Sequence, residues 1–191
     1  METLTSLIQD RLRWLGLTAL VLVVGSGWIW HSSVPTSATT GGLIPSPREG
    51  FLAPDFTLDL AGGGQLTLSE LRGEVVLINL WTSWCPPCRL EMPSLQRVYE
   101  ANRERGVEVL AINMTYQDSE TAAVEFVQEL GLTFPVLLDR TGEVGYKYQL
   151  RSLPTTFFVD RQGVITQVIL GGPMSEVTLQ TALESLLSEE P

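Results

Sequence analysis

The only two cysteines of the chain, Cys85 and Cys88, stand three positions apart in the run Trp81-Thr-Ser-Trp-Cys-Pro-Pro-Cys-Arg-Leu-Glu-Met-Pro93. Two thiols at that spacing can exchange a disulfide with a partner: one thiolate attacks a partner sulfur, and the other displaces what the first has captured. A purely structural disulfide is a poor account of the pair, because so small a loop restrains the unfolded chain little. Structural zinc wants four Cys, His or carboxylate ligands, and the sole histidine, His31, is distant in sequence. Covalent haem attachment needs His directly after the second Cys; Arg89 stands there.

The elements around the pair set its reactivity. Residues 75–80 form an apolar, β-branched run of the length of a buried strand, and residues 90–105 read as a helix, so the dithiol sits where strand hands over to helix. Unpaired N–H groups and the dipole at a helix N-terminus favour an anion, which stabilises a thiolate on Cys85. Pro86 suits a first helical turn, where its missing N–H has no partner to lose. In such settings the attacking thiol's pKa falls from about 8.5 to roughly 3.5–7.5. Cys85 is therefore the expected nucleophile, and Cys88, one turn further in, the more buried resolving thiol.

The run Leu68-Ser-Glu-Leu-Arg-Gly-Glu-Val-Val-Leu-Ile-Asn-Leu-Trp81, followed by Trp84-Cys-Pro-Pro-Cys-Arg-Leu-Glu-Met-Pro-Ser-Leu95, resembles the membrane-anchored thiol-disulfide oxidoreductases of the TlpA-like and ResA-like thioredoxin family. Ala53-Pro-Asp-Phe-Thr57 resembles that family's opening strand and Leu153-Pro-Thr-Thr-Phe157 its cis-proline loop, so the similarity covers roughly residues 51–188. The resemblance implies an α/β thioredoxin-like fold: a central mixed sheet flanked by helices, with an N-terminal β-hairpin and a central βα insertion. It also implies a cis Leu153–Pro154 bond facing the dithiol, and an active-site glutamate at Glu91. Where ordinary thioredoxins carry a buried Asp six residues before the first cysteine, this chain has Asn79, so a proton acceptor for Cys88 must come from elsewhere. Glu91, three residues after Cys88 and on a similar helical face, is the candidate, its pKa raised by partial burial.

Composition bounds the remaining classes. The formal net charge is −10 over 191 residues, 44% of them apolar. Glu2 and Asp10 cancel Arg11 and Arg13, so the excess, 20 acidic against 10 basic residues, falls on the rest of the chain. An acidic domain argues against nucleic acid as a partner. Residues 14–30 are an uncharged run of 17 residues flanked by Trp14, Trp28 and Trp30, the pattern of a short membrane-spanning helix with interfacial anchors. Arg11 and Arg13 on its N-terminal side predict a cytoplasmic N-terminus and an exported C-terminal domain. A cleaved signal peptide competes with this reading, but no Ala-X-Ala site follows the run, Thr36-Ser37-Ala38 being a weak substitute.

Four regions are thus expected: a cytoplasmic N-terminus at 1–13, a transmembrane anchor at 14–30, a flexible linker at 31–50 and a thioredoxin-like domain at 51–191. The linker is rich in Ser, Thr, Pro and Gly and would span about 25 Å as a random coil. Within the domain, strands are expected at 55–60, 65–68, 75–81, 107–113, 134–138, 155–159 and 164–170, and helices at 85–105, 118–130, 142–150 and 175–187. Glycines 62–64 turn the first hairpin, Ser69 caps a short turn, and Asp118 or Ser119 starts the second long helix, which Gly131 ends. Pro93 should kink the active-site helix. Phe56, Val76, Ile78, Val109, Ile112, Phe157 and Val159 belong to the core, and Leu179, Leu183, Leu186 and Leu187 form a stripe that packs on the sheet.

The site read from the sequence comprises Cys85, Cys88 and Glu91 as catalytic residues, with Trp84, Pro86, Pro87, Leu153 and Pro154 meeting the substrate. Trp81 is either core packing or part of the rim of the site, Arg89 is either a solvated helix residue or an aid to the thiolate, and tryptophan fluorescence should report the redox state. No dissociable cofactor is expected. The resemblance implies a reductant of protein disulfides, with apocytochrome c and its haem-site cysteines the leading partner and a CcdA-like membrane thiol transporter the electron donor. An oxidase of exported thiols and a Cu(I)-delivery module built on the same dithiol remain as alternatives. The peroxide-binding cysteine pattern of peroxiredoxins is absent.

Overall fold

The computed structural model describes residues 44–188 and, ahead of them, Trp14, Thr18, Val21 and Leu22. Those four are helical and exposed, and the Thr18 hydroxyl donates to the Trp14 carbonyl at 3.1 Å. The rest of the expected anchor at 14–30, and the segment 1–13, lie outside the described residues. Among the described residues no helix is long and apolar enough to cross a membrane.

The strands are β1 (Thr57–Leu60), β2 (Gln65–Thr67), β3 (Val75–Trp81), β4 (Val107–Asn113), β5 (Val136–Leu138), β6 (Thr155–Val159) and β7 (Ile165–Leu170). Within residues 44–188 the α-helices are α1 (Pro86–Asn102), α2 (Glu120–Leu130), α3 (Glu143–Lys147) and α4 (Glu176–Ser188). All seven strands form one sheet in the order β2-β1-β5-β4-β3-β6-β7. The β3, β4 and β5 strands run parallel; β1, β2, β6 and β7 pair antiparallel. This is the mixed sheet that the resemblance implies, with the β1–β2 hairpin at one edge and the α2–β5 unit inserted beside it.

Strand β3 is the axis of the sheet. All seven of its residues are buried, because it pairs with β4 on one side and β6 on the other while helices cover both faces. Its side chains alternate with period two. Val75, Leu77 and Trp81 enter a core shared with Met92, Leu95 and Val98 of α1 and Leu179, Leu183 and Leu186 of α4. Val76, Ile78 and Leu80 enter the opposite core with Phe56, Leu110, Ile112, Tyr148, Phe157 and Val159. The same alternation places Asn79 on the α1 side, among apolar neighbours.

Local chemistry sets the boundaries. The hairpin turn takes Gly63 and Gly64 to φ of 94° and 86°, where a side chain is strained. Strand β1 starts two residues later than expected because Asp55 is engaged elsewhere: its Oδ1 accepts from the N–H groups of Phe56 and Ser69, both at 3.0 Å. Ser69 therefore does not cap the short 3-10 turn Leu68–Leu71; Thr67 is its N-cap, and Glu70 accepts from the Thr67 N–H at 3.4 Å. Strand β5 begins beyond Pro135, which has no ladder donor. Helix α2 is capped by Ser119, whose hydroxyl accepts from the Ala122 N–H at 3.3 Å, and ends at Gly131. Helix α1 runs through Pro93 as one helix and gives way to a 3-10 turn at Arg103–Arg105. Of the expected tether, residues 44–50 are described. Gly50 N–H donates to the Ile165 carbonyl at 2.8 Å and Glu49 accepts from the Val168 N–H at 2.9 Å, so both lie along the outer edge of β7.

Leu77 sits at the centre of β3, fully buried against α1. Leu77→Ala should lower unfolding free energy by about 3 kcal/mol through lost burial and a residual cavity, read as a lower urea midpoint at unchanged m-value.

Candidate active site

Strand β3 ends at Trp81, and after four intervening residues α1 begins at Pro86. Cys85 is the N-cap of α1, in extended backbone, and its Sγ accepts from the Cys88 N–H at 3.3 Å. Pro86 and Pro87 fill the first two helical positions, where an N–H would have no helical partner. Cys88 thus supplies the first free N–H of the helix, and it points at Cys85. The two sulfurs are joined in a disulfide. Both cysteines are buried in the disulfide form, Cys85 at 4% exposure and Cys88 at 0%, and of the two only Cys85 reaches the groove beside the disulfide.

Glu91 follows one turn after Cys88 and is 1% exposed, which excludes a solvated surface carboxylate. Its Oε1 accepts from Asn79 Nδ2 and its Oε2 from the Met174 N–H, each at 2.8 Å. Burial pushes its pKa up, and these two hydrogen bonds oppose that rise only in part. Asn79 reaches Glu91 because β3 alternates it toward α1. Its Nδ2 also donates to the Thr156 hydroxyl at 2.9 Å, across the Asn79–Thr156 register pair of β3 and β6.

The Leu153–Pro154 bond is cis. The Pro154 carbonyl accepts from the Gly171 N–H at 2.8 Å, while Leu153 N–H and C=O make no hydrogen bond among the described residues. A second cis bond, Gly172–Pro173, lies in the loop between β7 and α4. A Cβ on Gly172 would stand 2.7 Å from Pro154 Cγ and 2.8 Å from Glu91 Oε2, so Gly172 is where the two cis-proline turns and the buried carboxylate meet.

A groove of about 440 Å³ opens beside the disulfide, lined by Trp84, Cys85, Pro86 and Pro87 on one side and residues 150–153 on the other. Four of the five residues expected to meet substrate, Trp84, Pro86, Pro87 and Leu153, therefore share one groove with Cys85; the fifth, Pro154, is buried and does not line it. Trp84 is 59% exposed, and Trp81 is fully buried against Phe126, with ring centroids 4.8 Å apart. Arg89 is an exposed helix residue, as the solvated reading has it, and its guanidinium pairs with Glu129 at 2.8 Å and lies 4.8 Å from the Phe126 ring centroid. Sequence reasoning missed Asp118 as a support. It accepts from Ser83 N–H and Oγ at 2.6 Å and from Asn113 Nδ2 at 2.8 Å, fixing the loop that leads into Cys85. Burial raises its pKa, but these hydrogen bonds outweigh that and hold it below the usual carboxylate range. Tyr116, Gln117, Gly172 and Met174 were missed as well, and so was the Asn79–Glu91 hydrogen bond, for which the period of β3, placing Asn79 on the face of Trp81, was the available signal.

Because the folded protein holds the Glu91 proton to higher pH than the unfolded chain, its contribution to stability is full below the ordinary glutamate pKa and is lost as pH rises through the raised one. Urea midpoints measured from pH 4 to 8 should carry this decline, and Glu91→Gln should remove it. Gly172→Ala should displace the Glu91 carboxylate or Pro154, cutting the rate of disulfide exchange about tenfold, on the scale of a displaced catalytic group, in stopped-flow assays.

Comparison with known proteins places this geometry. Residues 50–168 match the model of the AhpC/TSA family. The thiol-disulfide oxidoreductase ResA of Geobacillus kaustophilus is 34% identical over 178 residues, 93% of this chain and 97% of that protein. A crystal structure from Chlorobium tepidum assigned as the thiol:disulfide interchange protein DsbE superposes with a TM-score of 0.68 at 29% identity, covering 74% of this chain and 99% of that one. A secreted disulfide oxidoreductase of Mycobacterium tuberculosis superposes with a TM-score of 0.62 at 28% identity, covering 69% of this chain and 96% of that one. With a disulfide-linked Cys-Pro-Pro-Cys at the start of α1, the chain belongs to the AhpC/TSA family and to the ResA-like thiol-disulfide oxidoreductases.

Proposed function

We propose that this thiol-disulfide oxidoreductase reduces protein disulfides outside the cytoplasm, tethered by residues 14–30, with reduction of the haem-site cysteines of apocytochrome c as its leading task. The observation that carries the reading is the pairing of Cys85, at the groove and the helix N-terminus, with Cys88 buried beside the enclosed Glu91. The reduced protein begins as a Cys85 thiolate. It attacks a substrate disulfide; the substrate S–S bond breaks, a Cys85–substrate mixed disulfide forms, and one substrate thiolate leaves. Cys88 then loses its proton to the Glu91 carboxylate and attacks Cys85 Sγ. The Cys85–Cys88 bond forms and the second substrate thiolate departs, so the protein loses two electrons and the substrate gains them. No dissociable cofactor enters. A membrane dithiol donor of CcdA type returns the electrons by the reverse exchange.

In this reading Trp84, Pro86 and Pro87 bound the reacting sulfur while the unpaired Leu153 backbone groups, held by cis Pro154, pair with an extended substrate backbone. Export is supported by the charge asymmetry around residues 14–30 and by the secreted Mycobacterium tuberculosis relative. Direction is tested by the reduction potential of the Cys85–Cys88 couple in defined thiol buffers. A value near that of thioredoxin, about −270 mV, is expected, and one near about −120 mV would make the protein an oxidant instead. Cys88→Ser should accumulate a mixed disulfide through Cys85, and Cys85→Ser should abolish capture; a Cys88→Ser protein that traps nothing from an exported-protein fraction would sink the mechanism.

A further inference from the structure

We propose that the groove beside the disulfide selects substrate segments in which the exchanging cysteine is flanked by a bulky apolar side chain and an acidic one, with Trp84 and Tyr116 receiving the first and Arg151 the second. This deepens the oxidoreductase reading and rests on it.

One wall of the groove is aromatic and fixed in place although it faces solvent. The Trp84 indole N–H donates to the Gln117 carbonyl at 3.1 Å, which ties the ring to the turn that carries Tyr116. Tyr116 is itself held, its N–H donating to the Asp139 carbonyl at 3.0 Å. Its ring lies so close over α3 that a Cβ on Gly142 would come within 3.2 Å of it. These rings are 59% and 48% exposed. Exposed aromatics that are immobilised in advance give up little entropy on contact, which is what makes such residues effective anchors.

The opposite wall is residues 150–153. Leu150 N–H donates to the Gly145 carbonyl at 2.9 Å, and Gln149 before it takes the left-handed conformation at φ 51°, so the entry of Arg151 into the groove is set by backbone. Arg151 is the one charged side chain among the described residues that line the groove. It is exposed and makes no ion pair or hydrogen bond among the described residues. Arg89, Arg97, Arg105 and Arg140, by contrast, are each engaged by a carboxylate of the chain. In a chain of net charge −10, an unpaired cation beside the reacting sulfur is the local exception to a field that otherwise repels acidic segments. It complements a carboxylate on the incoming chain.

The test uses the reduced full-length protein and two disulfide-linked peptides, alike except for Glu or Lys beside the cysteine, with a constant Leu on the other side. Each rate is divided by that of the same protein on neutral hydroxyethyl disulfide. Because the two peptides also differ in intrinsic thiol reactivity, the readout is the change in the Glu:Lys rate ratio between wild type and Arg151→Glu. A fall in that ratio of about threefold or more at low salt, shrinking as ionic strength rises, is expected. The apolar position is read with a second pair of disulfide-linked peptides carrying Leu or Gly there beside a constant Glu: Trp84→Ala and Tyr116→Ala should remove the wild-type preference for Leu over Gly, and an undiminished preference overturns the apolar half of the inference. A ratio indifferent to Arg151→Glu overturns the inference while leaving the oxidoreductase reading in place; failure of wild type to reduce hydroxyethyl disulfide overturns that reading and the inference with it.

Discussion

A carboxyl group taken out of water must be neutralised or hydrogen-bonded, since an isolated buried charge costs far more than a domain can offset. Glu91 answers this constraint, and the architecture of the site follows from the answer. Its two oxygens draw in Asn79 from the central strand and the Met174 N–H from the loop that carries the second cis proline. Four segments remote in sequence, β3, α1, the Pro154 turn and the Gly171–Met174 loop, are thereby held at one point. Leaving either donor without its acceptor would strand a buried polar group, at about 1–3 kcal/mol.

Around that point the structure separates what is rigid from what is reachable. Behind the sulfurs, Trp81, Met92, Leu95 and Phe126 are packed without solvent exposure worth the name, so the positions of Cys85 and Cys88 are over-determined by a close-packed interior. In front of them, Trp84, Tyr116 and Leu150 to Leu153 form a rim tied down at a few hydrogen bonds, from the Trp84 indole and the Tyr116 and Leu150 N–H groups, rather than by burial. Asp118 joins the two regions. By gathering donors from Ser83, Asn113 and Ser119 it fixes the short loop between β3 and α1, whose own backbone lies in neither strand nor helix.

Much of this was legible from the residues alone, for identifiable reasons. Strands β3, β4 and β6 are buried along nearly their whole length, so they appear as largely apolar or β-branched runs, interrupted by Asn79 in β3 and Glu108 in β4, whose ends coincide with the ladder. Cys85 and Pro86 announced the start of α1 because N-cap and first-turn preferences are local. The rest depends on contacts between segments 35 to 83 residues apart, such as Ser83 with Asp118 and Glu91 with Met174. Nothing local in Asp118 separates an N-cap for α2 from a clamp on a distant loop; only the fold brings Ser83 within its reach. Gly172 was silent for a related reason. A glycine required by close approach looks, in sequence, like a glycine required by a turn.

The presence of Asn at 79, where a carboxylate stands in ordinary thioredoxins, follows from the electrostatics of Glu91. Two carboxyls in contact in a dry interior cannot both ionise, and Asp118 already keeps a negative charge close to the loop entering Cys85. An amide avoids adding another, and it suits both protonation states of its neighbour. Its Nδ2 donates to the carboxylate, as seen here, while its Oδ1, buried and without a hydrogen bond among the described residues, is an acceptor that an amide rotation would present to the protonated acid. Thr156 is compatible with either orientation, because its hydroxyl accepts or donates. That rotation turns Nδ2 to the side where Oδ1 now finds no partner, so the protonated acid gains its acceptor at the cost of an unpaired amide donor in the core, which holds the two protonation states of Glu91 closer in free energy than burial alone would.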